Sequence, residues 1–341
     1  MPMARIHYDY PLLSHNTFGM DVKAKVFCEY NDEEDLRQLL LSEVFAPYAE
    51  NFIVIGAGSN LLFLKDYDGL VLHSRMKNLA VVDETEDEVL VQVGSGYVWD
   101  DFVEWSVSQD LHGAENLSAI PGEVGASAVQ NIGAYGAEVS QLIEKVEAMD
   151  LQGNLRCFSR EECCYGYRDS IFKGNLKGQY IITNVTFRLK KNPTWKLDYG
   201  NLLAEVENAG EVTGETVREA VCTIRHSKLP DPEVLGNAGS FFKNPVIERE
   251  QYEHIRDVYP SIPCYPVDER TVKVPAGWLI EQCGWKGRRW GNAAVHEKQA
   301  LVLVNLGGAT GREIMDLAER IAADVRKTFG IEITPEVNYI L

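Results

Sequence analysis

Two glycine-rich segments are the first candidates for chemistry in this chain. Residues 56–61 read Gly-Ala-Gly-Ser-Asn-Leu and follow the apolar run 52–55, which predicts a buried strand. Paired glycines permit a tight turn whose N–H groups can bind a phosphate, and Ser59 and Asn60 add side-chain donors. Leu61 occupies the third glycine position of the dinucleotide fingerprint, so a plain strand-to-loop turn explains this motif equally well on its own.

The second segment strengthens the case for a cofactor. Residues 118–138 are dominated by Gly, Ala, Ser and Asn and have almost no charge apart from Glu123 and, at the very end, Glu138. This composition favours neither a helix nor a strand, and small residues let the backbone approach a partner closely. A tightly packed structural loop is one explanation, but two such segments suit a large, flat cofactor with a diphosphate. The candidate cofactor-binding residues are Gly56, Ala57, Gly58, Ser59, Asn60, Leu61, Ser118, Ile120, Pro121, Gly122, Gly125, Ala126, Asn131, Gly133, Ala134 and Tyr135.

Further motifs carry an Arg, a Ser and a Glu. Arg168 lies in Tyr-Gly-Tyr-Arg-Asp-Ser, Ser240 in Gly-Ser-Phe-Phe-Lys-Asn-Pro, and Glu336 in Thr-Pro-Glu-Val. Three more motifs accompany them: Trp-Lys-Leu-Asp-Tyr-Gly-Asn-Leu at 195–202, Arg-His-Ser-Lys-Leu-Pro at 225–230, and Ala-Gly-Trp-Leu-Ile-Glu-Gln-Cys-Gly-Trp-Lys-Gly at 276–287.

From about residue 16 to residue 341, these motifs closely resemble the MurB family of UDP-N-acetylenolpyruvoylglucosamine reductases. The two glycine-rich segments resemble the FAD-binding domain of the superfamily that includes vanillyl-alcohol oxidase. The resemblance implies an α+β chain: a two-subdomain FAD-binding fold of the vanillyl-alcohol oxidase/PCMH type, plus a C-terminal α+β substrate domain. We expect subdomain 1 over residues 1–77, completed by a strand at 331–341, subdomain 2 over 78–229, and the substrate domain over 230–330.

The implied enzyme is a flavin-dependent UDP-N-acetylmuramate dehydrogenase with two half-reactions. NADPH reduces FAD, and the reduced FAD then reduces the enol ether of UDP-N-acetyl-3-O-(1-carboxyvinyl)-glucosamine to UDP-N-acetylmuramate. The activity belongs to peptidoglycan synthesis, and through it to cell wall biogenesis, cell shape, cell division and the cell cycle. The glycine-rich segments contain no His or Cys, so we expect non-covalent FAD. The sequence has no dinucleotide fingerprint, so only the resemblance indicates NADPH rather than NADH as the hydride donor.

The resemblance also assigns roles to residues. Hydride addition to an enolpyruvyl group creates an enolate, which Arg168 can stabilise without losing its proton. Ser240 can then protonate the enolate. Two roles are open to Glu336: binding the substrate carboxylate while protonated, or orienting other groups. His226 stands where relatives often have Arg, which weakens a diphosphate-binding role there. The implied substrate-binding residues are Tyr199, at the tyrosine-loop position of the long-form family, Arg225, Lys228, Asn244, Tyr265 and Gln299.

Composition narrows the class of protein further. The 341 residues suggest two or three domains, and the net charge of −18 disfavours nucleic acid and anionic membranes as partners. Seven cysteines without a framework pattern indicate reduced thiols, and no metal-ligand spacing occurs. No apolar run is long enough to span a membrane, and the N-terminus lacks a signal-peptide pattern. We therefore expect a cytoplasmic monomer whose partners are the UDP-sugar and NADPH, without a metal.

Two other functions compete with this interpretation. An oxidase of the same flavin fold would act on another alcohol with oxygen and should lack the combination of Ser240, Glu336 and Arg168. A catalytically silent UDP-sugar-binding protein would bind the nucleotide but hold no flavin.

The elements that must position these residues follow from hydrophobic periodicity. A helix is predicted after an Asn31 N-cap, with Glu34 completing a capping box and apolar residues continuing to Val44. Strands are expected at 52–55, 69–72, 88–93, 143–150, 180–189, 301–305 and 331–341, and helices at 98–110, 214–227, 276–283 and 310–328.

Overall fold

The structure is a computed structural model that describes residues 4–341. Residues 1–3 lie outside it, and they begin both the first predicted subdomain and the segment inspected for a signal peptide. The chain forms two compact units. Within the described residues, unit 1 comprises 4–10, 23–57 and 68–227, and unit 2 comprises 11–22, 58–67 and 228–341. The three-part division expected from the sequence stays a prediction.

Helices and strands alternate irregularly along the chain, in agreement with the α+β prediction. The helices are α1 (Glu33–Leu40), α2 (Trp99–Ser108), α3 (Val124–Gln130), α4 (Leu202–Ala209), α5 (Gly214–Lys228), α6 (Arg249–Val258), α7 (Ala276–Gln282) and α8 (Gly311–Phe329). The strands are β1 (Arg5–Pro11), β2 (Lys23–Tyr30), β3 (Phe52–Ile55), β4 (Leu61–Phe63), β5 (Tyr67–Ser74), β6 (Leu79–Glu84), β7 (Glu88–Gly94), β8 (Gly133–Ala134), β9 (Ala137–Glu138), β10 (Ile143–Asp150), β11 (Leu155–Ser159), β12 (Tyr180–Lys190), β13 (Gly236–Ser240), β14 (Val246–Glu248), β15 (Tyr265–Pro266), β16 (Thr271–Lys273), β17 (Arg289–Trp290), β18 (Ala293–Val295), β19 (Val302–Asn305) and β20 (Asn338–Ile340).

Unit 1 contains two main sheets. One has the strand order β1-β2-β5-β3, with β3 and β5 parallel, and the other has the antiparallel order β11-β10-β12-β7-β6. Helix α2 packs on the second sheet through Trp99 and Phe102, whose rings lie 5.7 Å and 4.7 Å from the ring of Phe187 on β12. Burial of such aromatic rings, about 1.5–3 kcal/mol for each side chain, holds the helix on the sheet.

Helix α1 corrects two details of the prediction. The N-cap is Asp32, whose carboxylate accepts a hydrogen bond from the Asp35 N–H at 2.8 Å. Asn31 instead donates its side-chain amide to Asp35 at 2.9 Å. The helix ends at Leu40, so Val44 lies beyond it. The predicted buried strand β3 is only half-buried, and 43% of Val54 is exposed.

The expectation that residues 118–138 hold neither helix nor strand was wrong. They contain α3 and the two-residue strands β8 and β9, which pair with each other. Helix formation here depends on tertiary packing, because a Cβ on Gly125 would lie 2.8 Å from the Ser95 Cβ. Small residues let α3 lie closer to its neighbours than an ordinary helix could.

Unit 2 is built on the antiparallel sheet β13-β19-β18-β17, with a smaller sheet β14-β16-β15 and the parallel pair β20-β4. Helix α8 begins with a capping box between Thr310 and Glu313 and ends at Gly330 in the left-handed conformation. The predicted strand at 331–341 forms only at 338–340, although Ile331 and Ile333 are buried. Within residues 4–341, no helix combines the length and apolar character needed to cross a membrane.

Candidate active site

The first glycine-rich segment connects the two units, with Gly56 and Ala57 in unit 1 and residues 58–61 in unit 2. Gly58 has φ +66°, and a Cβ there would lie 2.0 Å from the carbonyl oxygen of His15. Its own carbonyl accepts a hydrogen bond from the Thr17 N–H at 3.3 Å. Gly58 is therefore required both by the left-handed backbone and by close packing.

The end of this segment reaches a predicted catalytic residue. Asn60 donates its side-chain amide to the Glu336 carbonyl at 3.2 Å, and its own carbonyl accepts the N–H of Asn338 at 3.0 Å. Leu61 then pairs with Asn338 in the parallel β4–β20 ladder. The structure thus holds the predicted cofactor segment and Glu336 together within unit 2.

Gly56 is in contact with the second glycine-rich segment. A Cβ at Gly56 would lie 3.1 Å from Oε2 and 3.2 Å from Cβ of Glu123. Glu123 precedes α3 and is also bound by His73, whose Nε2 lies 3.0 Å from Glu123 Oε1. His73 was not predicted from the sequence, and the one signal that could have led to this pair is the charge of Glu123 in an otherwise nearly uncharged stretch.

Some predicted cofactor residues have structural bonds of their own. Ser118 is fully buried and donates its hydroxyl to the Glu115 carbonyl at 2.6 Å. Asn131 is also fully buried, donates to the Gly166 carbonyl at 2.7 Å, and accepts the Ser140 N–H at 3.1 Å. The side chains of Ser118 and Asn131 therefore stabilise the conformation of the segment through hydrogen bonds within the protein.

Arg168 is anchored on this second segment. Its guanidinium donates to the Gly133 carbonyl, and to the Asn131 carbonyl at 3.4 Å. A Cβ at Gly133 would lie 2.7 Å from Arg168 Nη1, so only glycine leaves room for the guanidinium. Arg168 also has φ +55°, a conformation that costs an L-residue roughly 1–2 kcal/mol. A strained backbone of this kind is typical of functional sites.

Asn116 joins the second segment to the tyrosine loop. Its buried side-chain amide donates to the carbonyls of Tyr135 and Lys196, each at 2.8 Å. The Tyr135 and Tyr199 rings meet edge to face, with centroids 6.0 Å apart. Tyr199 is 45% exposed. Asn116 was not predicted from the sequence, although it lies only two residues before the glycine-rich stretch.

Helix α5 brings Arg225 to the start of the second segment. Arg225 Nε donates to the Ala119 carbonyl at 3.2 Å, and burial lowers the pKa of this guanidinium. Asp100 accepts the Ala119 N–H at 2.5 Å and both terminal nitrogens of Arg218 at 2.6 and 2.9 Å. Burial opposes ionisation of Asp100, but the hydrogen bonds from Arg218 and Ala119 bring its pKa below the usual range. Asp100 was also missed, because its partners are distant in sequence.

Ser240 and Glu336 are neighbours in unit 2. Ser240 is exposed at the end of β13, after a register shift and Gly239 at φ +66°. Phe241, which follows it, is fully buried, and its carbonyl accepts the Glu336 N–H at 2.8 Å. The buried Phe241 thus anchors the chain next to the exposed Ser240 and pairs it with Glu336 through the backbone.

The remaining predicted substrate residues of unit 2 divide into two groups. Asn244 accepts the Ala276 N–H at 2.9 Å, and Gln299 Oε1 lies 3.2 Å from the position of a Cβ on Gly277, so both are at the start of α7. Tyr265 on β15 and Lys228 at the end of α5 are exposed. Residues 4–341 contain no group of three or more His, Cys, Asp or Glu suited to a metal ion.

Within unit 1, Gly56, Ala57 and the second glycine-rich segment fit the diphosphate of a dinucleotide. They supply backbone N–H groups and small uncharged side chains, and the one carboxylate within 118–135, Glu123, is bound by His73. Phosphate groups bind where backbone N–H groups are offered without competing negative charge. Together with the two-sheet α+β architecture of unit 1, this donor set defines an FAD-binding flavoprotein fold.

Comparison with known proteins agrees with that class. Residues 24–159 match the family model described as FAD binding domain, and residues 231–340 match UDP-N-acetylenolpyruvoylglucosamine reductase, C-terminal domain. A reductase of that name from Bacteroides fragilis is 54% identical over 97% of this chain and 99% of its own length. The Porphyromonas gingivalis protein is 50% identical over 98% and 99%, respectively. The chain belongs to the UDP-N-acetylenolpyruvoylglucosamine reductase family.

A solved structure supports the fold independently. The MurB crystal structure from Thermus caldophilus superposes on this chain with a TM-score of 0.69, covers 99% of both chains and has 22% sequence identity. The predicted family and fold class are therefore confirmed, and FAD is the cofactor that this fold binds.

Proposed function

We propose that this protein reduces the enol ether of UDP-N-acetyl-3-O-(1-carboxyvinyl)-glucosamine to UDP-N-acetylmuramate, with NADPH as the hydride donor, during peptidoglycan precursor synthesis. The observation that carries the proposal is the backbone hydrogen bond between Glu336 and Phe241, the residue after Ser240, together with the bond from Asn60 of the first glycine-rich segment to the Glu336 carbonyl. Membership of the reductase family supports it. We also propose a cytoplasmic location and a monomer.

FAD bound by the two glycine-rich segments would supply the chemistry of hydride transfer from NADPH to the terminal carbon of the enolpyruvyl group. Negative charge then develops on the adjacent carbon and its carboxylate. The Arg168 guanidinium stabilises that charge, since a fixed cation in a preorganised position needs no reorganisation during the reaction. Hydrogen bonds to the Gly133 and Asn131 carbonyls fix the position of this guanidinium.

The Ser240 hydroxyl donates its proton to the enolate carbon, and water restores that proton from the exposed side of the strand. Glu336 either binds the substrate carboxylate in its protonated form or orients neighbouring groups. Tyr199, Arg225, Lys228, Asn244, Tyr265 and Gln299 bind the UDP-sugar in this proposal.

Anaerobic stopped-flow spectroscopy tests the proposal directly. NADPH should reduce the protein-bound flavin, and the UDP-sugar enol ether should then restore the oxidised flavin spectrum. A flavin oxidase would instead reoxidise rapidly with oxygen and ignore the enol ether. A silent UDP-sugar-binding protein would be colourless.

The cofactor itself gives one prediction. We expect a yellow protein that releases FAD on acid or heat denaturation, because the glycine-rich segments offer no His or Cys for covalent attachment. Precipitation followed by chromatography of the supernatant measures the release. Flavin that stays with the denatured chain, or a colourless protein that FAD cannot reconstitute, would contradict it.

The substrate loop gives a second prediction. We expect Tyr199→Phe and Lys228→Ala to raise KM for the UDP-sugar about 5–50-fold, since a hydrogen bond to a charged group contributes about 1.5–3 kcal/mol and one to a neutral group less. FAD content and the rate of flavin reduction by NADPH should not change, because these residues contact neither cofactor in the proposal.

Two matched variants control for general effects of the substitutions. Tyr8→Phe alters a tyrosine that is 67% exposed, and Lys177→Ala alters an exposed lysine, both outside the proposed site. Both should keep the parental KM. Parental kinetics in Tyr199→Phe and Lys228→Ala as well would show that these two positions do not bind the substrate.

A further inference from the structure

A buried polar cluster of unit 1 lies next to Gly56 and the second glycine-rich segment. His73 on β5 has a side chain only 5% exposed, and the carboxylates on its two sides belong to Glu29 and Glu123, 16% and 11% exposed. His73 Nε2 is 3.0 Å from Glu123 Oε1, and His73 Nδ1 is 3.5 Å from Glu29 Oε1. Arg75 Nε lies 3.6 Å from the same Glu29 oxygen. Burial of charged groups costs free energy, and pairing them often offsets only part of that cost. The fold therefore keeps this cluster despite a cost in stability.

The position of the cluster links it to both segments. His73 is the register partner of Ile55, the residue immediately before Gly56. Glu123 begins α3, and its carbonyl accepts the Ser127 N–H at 2.9 Å. The hydrogen bond between His73 and Glu123 therefore joins the strand beneath the first segment to the start of the second.

The Glu123 side chain also fills the space above Gly56. A Cβ at that glycine would be 3.1 Å from Glu123 Oε2, tighter than about nine in ten real contacts of this kind. The absence of a side chain at Gly56 therefore lets Glu123 lie close to it without a shift of either segment.

We propose that Glu123, held by His73, is a positioning residue for FAD, because it sets the separation of the two glycine-rich segments and removes the one carboxylate of residues 118–135 from the anion-binding backbone. His73 acts through Glu123. Neither side chain needs to touch the cofactor, and the proposal does not depend on which substrate is reduced.

The test measures the dissociation constant of FAD with apoprotein prepared from each variant, by quenching of flavin fluorescence. Glu123→Ala should raise Kd about 10- to 100-fold, the equivalent of one charge-assisted hydrogen bond. His73→Leu should have a similar effect, since it leaves the carboxylate free to turn toward the segments. Glu123→Gln, which keeps the shape and an acceptor for His73, should stay within about 3-fold of the parental Kd.

The double variant His73→Leu/Glu123→Ala distinguishes a coupled pair from two separate effects. We expect it to bind FAD about as weakly as either single variant, because the interaction is lost only once. Effects that multiply in the double variant would overturn the proposal. If Glu123→Ala does not fold, Glu123→Asp replaces it, because the shorter side chain keeps the charge but withdraws from both His73 and Gly56.

A second buried pair in unit 1 serves as the control. His112 Nδ1 is also 3.0 Å from a carboxylate, that of Glu115, and its ring packs on Trp195 rather than near Gly56. His112→Leu should lower the melting temperature of the apoprotein while Kd for FAD stays within about 3-fold. A merely structural role for Glu123 would make its alanine variant behave like His112→Leu, and that outcome would overturn the proposal.

Discussion

Ser240→Ala is expected to bind FAD normally, to be reduced by NADPH at a near-parental rate, and then to stall when the UDP-sugar enol ether is added. Hydride transfer from NADPH needs no proton from Ser240, so only the second half-reaction should suffer. A positioned general acid typically contributes roughly 10²–10⁴-fold, and the loss could be at the upper end, since protonation is coupled to formation of the carbanion. Flavin absorbance without oxygen follows the two half-reactions separately.

Ser240→Cys is the informative companion variant. A thiol can also donate a proton, so it should retain more activity than Ser240→Ala. Ser240 is exposed at the end of β13, and the buried Phe241 anchors the strand, so neither substitution should disturb the fold. Reoxidation of Ser240→Ala at the parental rate would show that Ser240 is not the acid. Failure at the NADPH step would instead place Ser240 in the flavin or nicotinamide site.

Gly58→Ala is expected to lower the free energy of unfolding by about 2–5 kcal/mol. The left-handed backbone at φ +66° costs roughly 1–2 kcal/mol for an L-residue, and forcing a methyl group into a packed site costs about 1–3 kcal/mol more. The methyl carbon would lie 2.0 Å from the His15 carbonyl oxygen, which is backbone and cannot rotate away. Denaturant unfolding of the FAD-free protein measures the difference without a contribution from cofactor binding.

Gly284→Ala separates the two causes. Gly284 belongs to the same unit and has φ +74°, but a Cβ there would meet no atom within 4 Å. The free energy of unfolding should therefore fall only by the conformational cost of the left-handed backbone, about 1–2 kcal/mol. Equal losses in Gly58→Ala and Gly284→Ala would mean that the chain at His15 moves aside without cost, and that close packing is not what requires Gly58.

The sequence motifs were sufficient to predict the family, the flavin cofactor and the fold class. The types of Arg168, Ser240 and Glu336 follow from the chemistry of an enolate, and the composition of residues 118–138 follows from close backbone packing. Long helices such as α8 were also predicted to within one residue at each end, because a capping box, a buried apolar stripe and a terminal glycine all agree over 311–330.

Tertiary structure decided what local patterns leave undetermined. Gly125 lets α3 pack closely on Ser95, and the Glu123 side chain lies where a Cβ on Gly56 would make a tight contact. Asn116 and Asp100 gain roles only from partners that lie 19 to 118 residues away.

Residue types and spacing along the chain therefore determined which chemistry this protein can perform, since proton donors, fixed cations and glycines are chemical properties of single residues. Only the tertiary structure decided which groups position these residues. The physical reason is that the hydrogen bonds and contacts of His73, Glu123 and Asn116 join segments far apart in sequence. Local hydrophobic periodicity cannot predict contacts of that kind.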